Sequence, residues 1–332
     1  MHWKRAVGIS MLGGAMVGLA AATGTKAAGH RVRSIHDPRL DEPLAPPPVT
    51  DLLIATHDGG ELHAVEVGSG QPVVLLHGVT LQWWVWSAVI RLLSTRYRVI
   101  AWDMRGHGRS RAGRDGVTLE ACADDLSTLI DHLALRDTIV VGHSMGGMVL
   151  GRFSERHADV FHERVSGAVF LATSAAALSV KGIAGGLIAG SDVVARAGSA
   201  SVRRPWLAMR WRNNDTTAAL VRMAFGKHPT AQMVDDVRVM LADVPTETLA
   251  QAGGSIAAHD VRSFLPSVKV PTIVVVGTDD RLTPPVHARQ IADVIPGAEL
   301  VVLPGIGHQV MQEQPEAVVA AVDRLASAGR RS

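Results

Sequence analysis

Six short apolar runs recur along the chain: Val73 to Leu76, Val99 to Trp102, Ile139 to Val141, Ala168 to Leu171, Ile273 to Val276 and Leu300 to Leu303. Each is continuous rather than alternating, and stretches long enough for helices separate them. Strands apolar on both faces and joined by helices are what a parallel sheet covered on both sides requires. Two earlier runs, Asp51 to Thr56 and Glu61 to Val67, flank His57-Asp58-Gly59-Gly60, a turn signal of the hairpin type, so the pattern predicts an antiparallel start. Between strands, Thr118 to Leu135 puts Leu119, Cys122, Leu126, Leu129, Ile130 and Leu133 on one helical stripe and Asp124, Asp125, Thr128 and Asp131 on the other. Cys122 therefore reads as a small core residue, not a reactive thiol. The expected fold class is α/β, with a mostly parallel, doubly wound sheet.

The rhythm breaks once. About a hundred residues separate Leu171 from Ile273, and this stretch is helix-like and rich in Ala, Arg and Met. It predicts an inserted helical cap over 174–259, between core segments at 51–173 and 260–332. At the other end, Lys4 and Arg5 precede a charge-free run from Ala6 to Thr25. Its length is near that of a bilayer span, its Gly and Ala content makes a weak one, and Ala20-Ala21-Ala22 offers small residues for cleavage. Residues 1–33 are thus expected to be a signal peptide or a membrane anchor, with a disordered or amphipathic tail as the remaining alternative. Either targeting role puts the protein in the cell envelope, anchored or exported after cleavage. Lys26, Arg31 and Arg33 after the run blur the orientation. Five prolines (Pro38, Pro43, Pro46, Pro47 and Pro48) without apolar periodicity make 34–50 an extended linker.

Composition narrows the classes. With 332 residues, 47% hydrophobic and 19% charged, the chain can bury a sizeable core and is not of a disordered type. Its net charge of +2 comes from the head, where Lys4, Arg5, Lys26, Arg31 and Arg33 meet no acid. The body is weakly acidic and carries no nucleic-acid footprint. One cysteine excludes an intrachain disulfide and a zinc site of several thiolates. The histidines show no H-E-x-x-H or similar spacing, so neither metal nor cofactor is expected.

The chemistry concentrates at Gly142-His143-Ser144-Met145-Gly146-Gly147, which follows the run Ile139 to Val141 and leads into Met148-Val149-Leu150. A serine on so sharp a strand-to-helix turn is held in a strained backbone that only small neighbours permit, hence Gly142 and Gly146. A serine hydroxyl is a weak nucleophile at neutral pH and needs a base, which in turn needs an orienting acid. The run Ile273 to Val276 ends in Gly277-Thr278-Asp279-Asp280, and the run Leu300 to Leu303 ends in Pro304-Gly305-Ile306-Gly307-His308. Both put their polar groups just beyond a strand's C-terminal edge, where sites assemble in open α/β sheets. The chain order serine, aspartate, histidine is the one expected for a nucleophile elbow of this kind.

With these motifs the body resembles the α/β-hydrolase fold superfamily, in its serine esterase and lipase-like branch. The likeness also rests on Leu76-His77-Gly78-Val79, on Trp102-Asp103-Met104-Arg105-Gly106-His107-Gly108-Arg109-Ser110, on Gly277 to Pro284, and on Gly307-His308 followed by Glu313-Gln314-Pro315-Glu316. The resemblance implies Ser144 as nucleophile, His308 as general base and Asp280 as the acid, Asp279 being the alternative. It implies an oxyanion hole from the backbone N–H groups of Val79 and Met145. His77, Asp103, Arg105 and His107 would order the loops, and His143 would support the turn. His77, Trp83, Trp84 and His143 are candidates for the substrate pocket. In the cap, Trp206, Met209 and Trp211 beside Arg203, Arg204, Arg210 and Arg212 read either as cap core with solvated arginines or as an apolar pocket under a basic, membrane-facing lid. The implied activity is hydrolysis of a small-molecule carboxylic ester with a small or medium apolar acyl group. Three other readings share the motifs: a ligand-binding receptor with little turnover, a cofactor-free haloperoxidase, and a carbon–carbon bond hydrolase. A serine at the elbow argues against the branches that use aspartate there, the epoxide hydrolases and haloalkane dehalogenases.

Overall fold

A computed structural model describes residues 47–178 and 215–329. The segment 1–33 expected to be a signal peptide or anchor, most of the proline-rich linker and the Trp206 to Arg212 cluster lie outside the described residues. Among the described residues, no helix is long and apolar enough to cross a membrane.

Eight strands form one sheet: β1 (Thr50–Ala55), β2 (Glu61–Val67), β3 (Pro72–Leu76), β4 (Arg98–Trp102), β5 (Thr138–His143), β6 (Val165–Leu171), β7 (Thr272–Gly277) and β8 (Glu299–Leu303). Their order across the sheet is β1-β2-β4-β3-β5-β6-β7-β8. β2 runs antiparallel to both neighbours, and all other pairs are parallel. The expected hairpin is present, Thr50 facing Glu66 and Ala55 facing Glu61. After β3 the chain adds β4 on one side and β5 on the other. This reversal opens a crevice at the C-terminal ends of β3 and β5, the usual ligand position in such sheets.

Alternate residues of the central strands feed two separate cores, as the two-residue period of a strand demands. Val74, Leu76, Val140 and Val274 join one; Val73, Leu75, Val141 and Val275 join the other. The first face is covered by α2 (Leu119–His132), α3 (Met145–Arg156) and α8 (Pro285–Val294), the second by α1 (Ser87–Leu93) and α10 (Pro315–Gly329). Helix α2 starts where the Thr118 hydroxyl accepts the Ala121 N–H, and it buries Leu119, Cys122, Leu126, Leu129 and Ile130. Each large apolar side chain so buried stabilises the fold by about 1.5–3 kcal/mol. A further helix, α4 (Ala158–Arg164), leads into β6.

Between β6 and β7 the described residues form α5 (Asp215–Val221), α6 (Ala231–Asp243) and α7 (Thr246–Ala257). Their apolar faces divide between the two cores: Ala218, Val221, Val237 and Met240 pack with the second, Ala252 and Ile256 with the first. A last short helix, α9 (Val310–Glu313), follows β8.

Candidate active site

Ser144 stands between β5 and α3 with φ +53° and ψ −118°, a backbone state costly for any residue but glycine. The turn is held on several sides. The Ser144 N–H donates to Leu171 O at 3.0 Å, and its carbonyl accepts from Gly147 N, Met148 N and the Thr173 hydroxyl. Glycine is required around it by close approach: a Cβ on Gly146 would lie 2.4 Å from Leu76 O, and one on Gly142 would lie 2.4 Å from Gly146 O.

Asp280 and His308 meet at the ends of β7 and β8. His308 Nδ1 lies 2.9 Å from Asp280 Oδ2, so the ring donates from Nδ1 and keeps Nε2 free to take a proton. Asp279 is not in this pair; its Oδ1 accepts from the Thr278 hydroxyl. The remaining lone pairs of Asp280 are occupied by the N–H groups of Leu282 and Thr283, each at 2.9 Å, and by the Thr283 hydroxyl at 2.7 Å. Burial alone would raise the Asp280 carboxyl, but the His308 imidazole and the Thr283 hydrogen bonds outweigh it and hold it below the usual carboxylate range. A carboxyl depressed in the folded state stabilises above its unfolded value, near 3.9, and that stability is lost as pH falls through the folded value. The wild type should therefore lose stability on acidification below about pH 4, and Asp280→Asn should flatten this slope, as urea unfolding at stepped pH would read out.

The turn after β3 carries the second group of donors. The Met104 N–H donates to His77 Nε2 at 2.9 Å, so the His77 proton sits on Nδ1 and is donated to Gly78 O at 2.8 Å. Burial pushes this imidazole below its usual range and keeps it neutral. Leu81 N–H also donates to Gly78 O, at 3.2 Å. In a trans peptide the carbonyl and N–H point opposite ways, so fixing Gly78 O aims the Val79 N–H the other way. Met145 opens α3, and a helix's first N–H groups have no acceptor within the helix. Thr80, β-branched at φ +74°, adds local strain to this turn.

Ser144, His308, Val79 and Met145 border one cavity of about 430 Å³. Most of its wall is apolar, from Met148 in α3, Leu178 beyond β6, and Val221, Val237, Leu241 and Ile256 in α5, α6 and α7. Arg281, Thr283 and Gln309 are its main polar contributors away from the turns.

His143 borders the cavity, and its Nε2 donates to His308 O at 2.9 Å. Burial, with His308 beside it, holds the His143 imidazole well below its usual range, so it stays neutral. Three pocket assignments need correction. His77 lies under the Gly78 turn, and Trp83 and Trp84 sit in a 3₁₀ turn packed toward the second core beside Val85 and Trp86. None of the three borders the cavity. The Trp83 N–H is bound by Asp103 Oδ1 at 2.9 Å. Asp103 also binds His63 Nδ1 and the Arg109 N–H, so it orders loops, as Arg105 does through Asp58 and Asp125. Thr283 and Met104 fall inside motifs, but the Thr283 bonds to Asp280 and the Met104 N–H bond to His77 are not written in any spacing, and neither are the cap's lining residues. Among the described residues no group of three or more His, Cys, Asp or Glu side chains is arranged to hold a metal ion.

The chain matches the family model of the alpha/beta hydrolase fold over residues 71–315. It is 31% identical over 263 residues to a non-heme chloroperoxidase of Kitasatospora aureofaciens, covering 78% of this chain and 92% of that one. Among solved structures, a thermophilic esterase from Thermogutta terrifontis superposes with a TM-score of 0.69 at 28% identity, covering 84% of this chain and 99% of the esterase. An enol-lactonase from Burkholderia xenovorans gives 0.68 at 25% identity, covering 83% and 100%. The eight-stranded sheet, the strained serine between β5 and α3 and a match that spans the body together mean that this chain belongs to the α/β-hydrolase fold family.

Proposed function

We propose that this hydrolase cleaves a carboxylic ester with a small or medium apolar acyl group through an acyl-enzyme on Ser144. The observation that carries the reading is that Ser144 and a histidine whose Nδ1 is held by Asp280 open on the same largely apolar cavity. In this mechanism Ser144 Oγ attacks the ester carbonyl and passes its proton to His308 Nε2. The N–H groups of Val79 and Met145 receive the charge that develops on the carbonyl oxygen, worth about 3 kcal/mol for each such donor. Asp280 fixes the tautomer and stabilises the imidazolium. Collapse expels the alcohol, protonated by His308, and water then repeats the sequence on the acyl-enzyme. Relatives named esterase and lactonase support the ester as substrate.

The test is a series of p-nitrophenyl esters from acetate to dodecanoate, with labelling by a fluorophosphonate probe. We expect stoichiometric labelling and kcat/KM that peaks at a medium chain, because added methylenes gain burial until the cavity is full. A folded wild type that neither labels nor turns over any ester would overturn the reading.

The chloroperoxidase relative favours a second reading on the same residues. Hydrogen peroxide attacking the acyl-enzyme in place of water would release a peracid, a two-electron oxidant of halide. Monochlorodimedone halogenation that requires peroxide, a carboxylic acid and Ser144 would support it. We also propose that the enzyme works at the cell envelope, on the strength of the charge-free run at 6–25.

A further inference from the structure

Glu313 closes α9, just beyond His308, and its carboxylate binds two stretches of chain that are far apart in sequence. Oε1 accepts the Gly307 N–H at 3.0 Å, and Oε2 accepts the Gly226 N–H at 2.8 Å. Gly307 immediately precedes His308. Gly226 lies in the strap 222–227 that links α5 to α6 in the cap. The same strap holds the histidine loop at two more points: His308 N–H donates to Ala224 O at 2.7 Å, and Lys227 N–H donates to Gly305 O at 3.0 Å. Here backbone lies directly on backbone. A Cβ on Gly226 would fall 2.1 Å from Gly305 O, and one on Gly307 would fall 2.3 Å from Gly226 N. Arg222 backs the strap through the carbonyls of Phe225 and Lys227, at 3.3 Å each.

Granting that His308 is the general base, we infer that Glu313 is a positioning residue that clasps the cap strap to the histidine loop and sets where His308 Nε2 stands relative to Ser144. The carboxylate suits the task because both of its oxygens accept, so two N–H groups are satisfied at once. An amide at the same place would accept one and turn an N–H₂ toward the other. The strap is also cavity wall: Met223 and Ala224 line it, with Val221 just before them. Filling the cavity and placing the base are therefore mechanically joined.

The test compares Glu313→Gln, Glu313→Ala and Gly226→Ala with wild type, each assayed well below its own melting temperature. Labelling rate and kcat should fall about tenfold in Glu313→Gln and about a hundredfold in Glu313→Ala, with KM nearly unchanged, since misplacing a catalytic group by about 1 Å costs on that order. If the side chain only fills space, Glu313→Gln will match wild type. If it only stabilises, melting temperatures will drop while the labelling rate per folded molecule stays at the wild-type value. Either result overturns the inference. Gly226→Ala lifts the strap from the other side and carries the test if Glu313→Ala does not fold. It should slow labelling too, and the double variant with Glu313→Gln should be no slower than the slower single one, because both open the same clasp. Fully additive losses would count against it. A wild type that fails to label removes the hydrolase reading and this inference with it, whereas normal wild-type labelling with normal Glu313→Gln removes only the inference.

Discussion

Replacing Ser144 by alanine is expected to abolish fluorophosphonate labelling and to lower ester turnover by about 10⁵-fold, with folding and ligand binding retained. The elbow does not depend on the hydroxyl. Its carbonyl and N–H are held by Leu171, Gly147, Met148 and Thr173, and alanine at φ +53° is strained much as serine is. What goes is the atom that attacks. The cavity and the Gly78 turn stay, so a residual rate above the uncatalysed reaction is expected, as it is where a triad is broken but the oxyanion donors remain. Turnover within tenfold of wild type, measured on the best ester of the series, would sink the acyl-enzyme reading.

Replacing Arg105 by leucine should cost about 3–5 kcal/mol of stability, enough to lower the urea midpoint sharply. The guanidinium is fully buried and binds Asp125 with Nε and Nη2 at 2.6 and 2.7 Å, Asp58 with Nη1 at 2.9 Å, and Gly116 O with Nη1 at 2.9 Å. These partners come from the β1–β2 turn, from α2 and from the loop before it, so one side chain joins three segments. Without it two carboxylates are left buried and unpaired. Arg105→Lys should restore little, because an ammonium lacks the planar fork that grips Asp125 with two parallel bonds. Removing the charges together, with Asp58→Asn and Asp125→Asn added to Arg105→Leu, should recover part of the loss. A Leu variant within 1 kcal/mol of wild type would show that the cluster is not holding these segments.

The strands were legible because a sheet covered on both faces writes itself as unbroken apolar runs, and all six runs from Val73 to Leu303 fall inside strands. The order in which they lie is not written there, since β3 is equally apolar whichever strands flank it. At the elbow, spacing was informative because steric closeness demands glycine at 142 and 146. Asp280 was legible as the acid, but the Thr283 N–H and hydroxyl bonds that hold its carboxylate against His308 are not written in any spacing. Trp83 and Trp84 misled because an indole after a turn reads the same whichever way it faces, and here both pack toward the second core. Glu313 was visible as part of a motif, but its second partner, Gly226, lies 87 residues upstream in the cap.

His143 and His308, which share a hydrogen bond, are 165 residues apart in the chain, with β6, the cap, β7 and β8 between them. A ribosome adding about 5–20 residues per second takes on the order of ten to thirty seconds to cover that distance. The nucleophile's strand and its neighbours therefore emerge well before the base exists. On the proposed mechanism Ser144 is an ordinary alcohol during synthesis, and reactivity arrives only with His308, in the last tenth of the chain. On that mechanism a nascent or truncated chain ending before β8 is inert toward esters however well its first seven strands have paired, and the timing of translation acts as a safety catch.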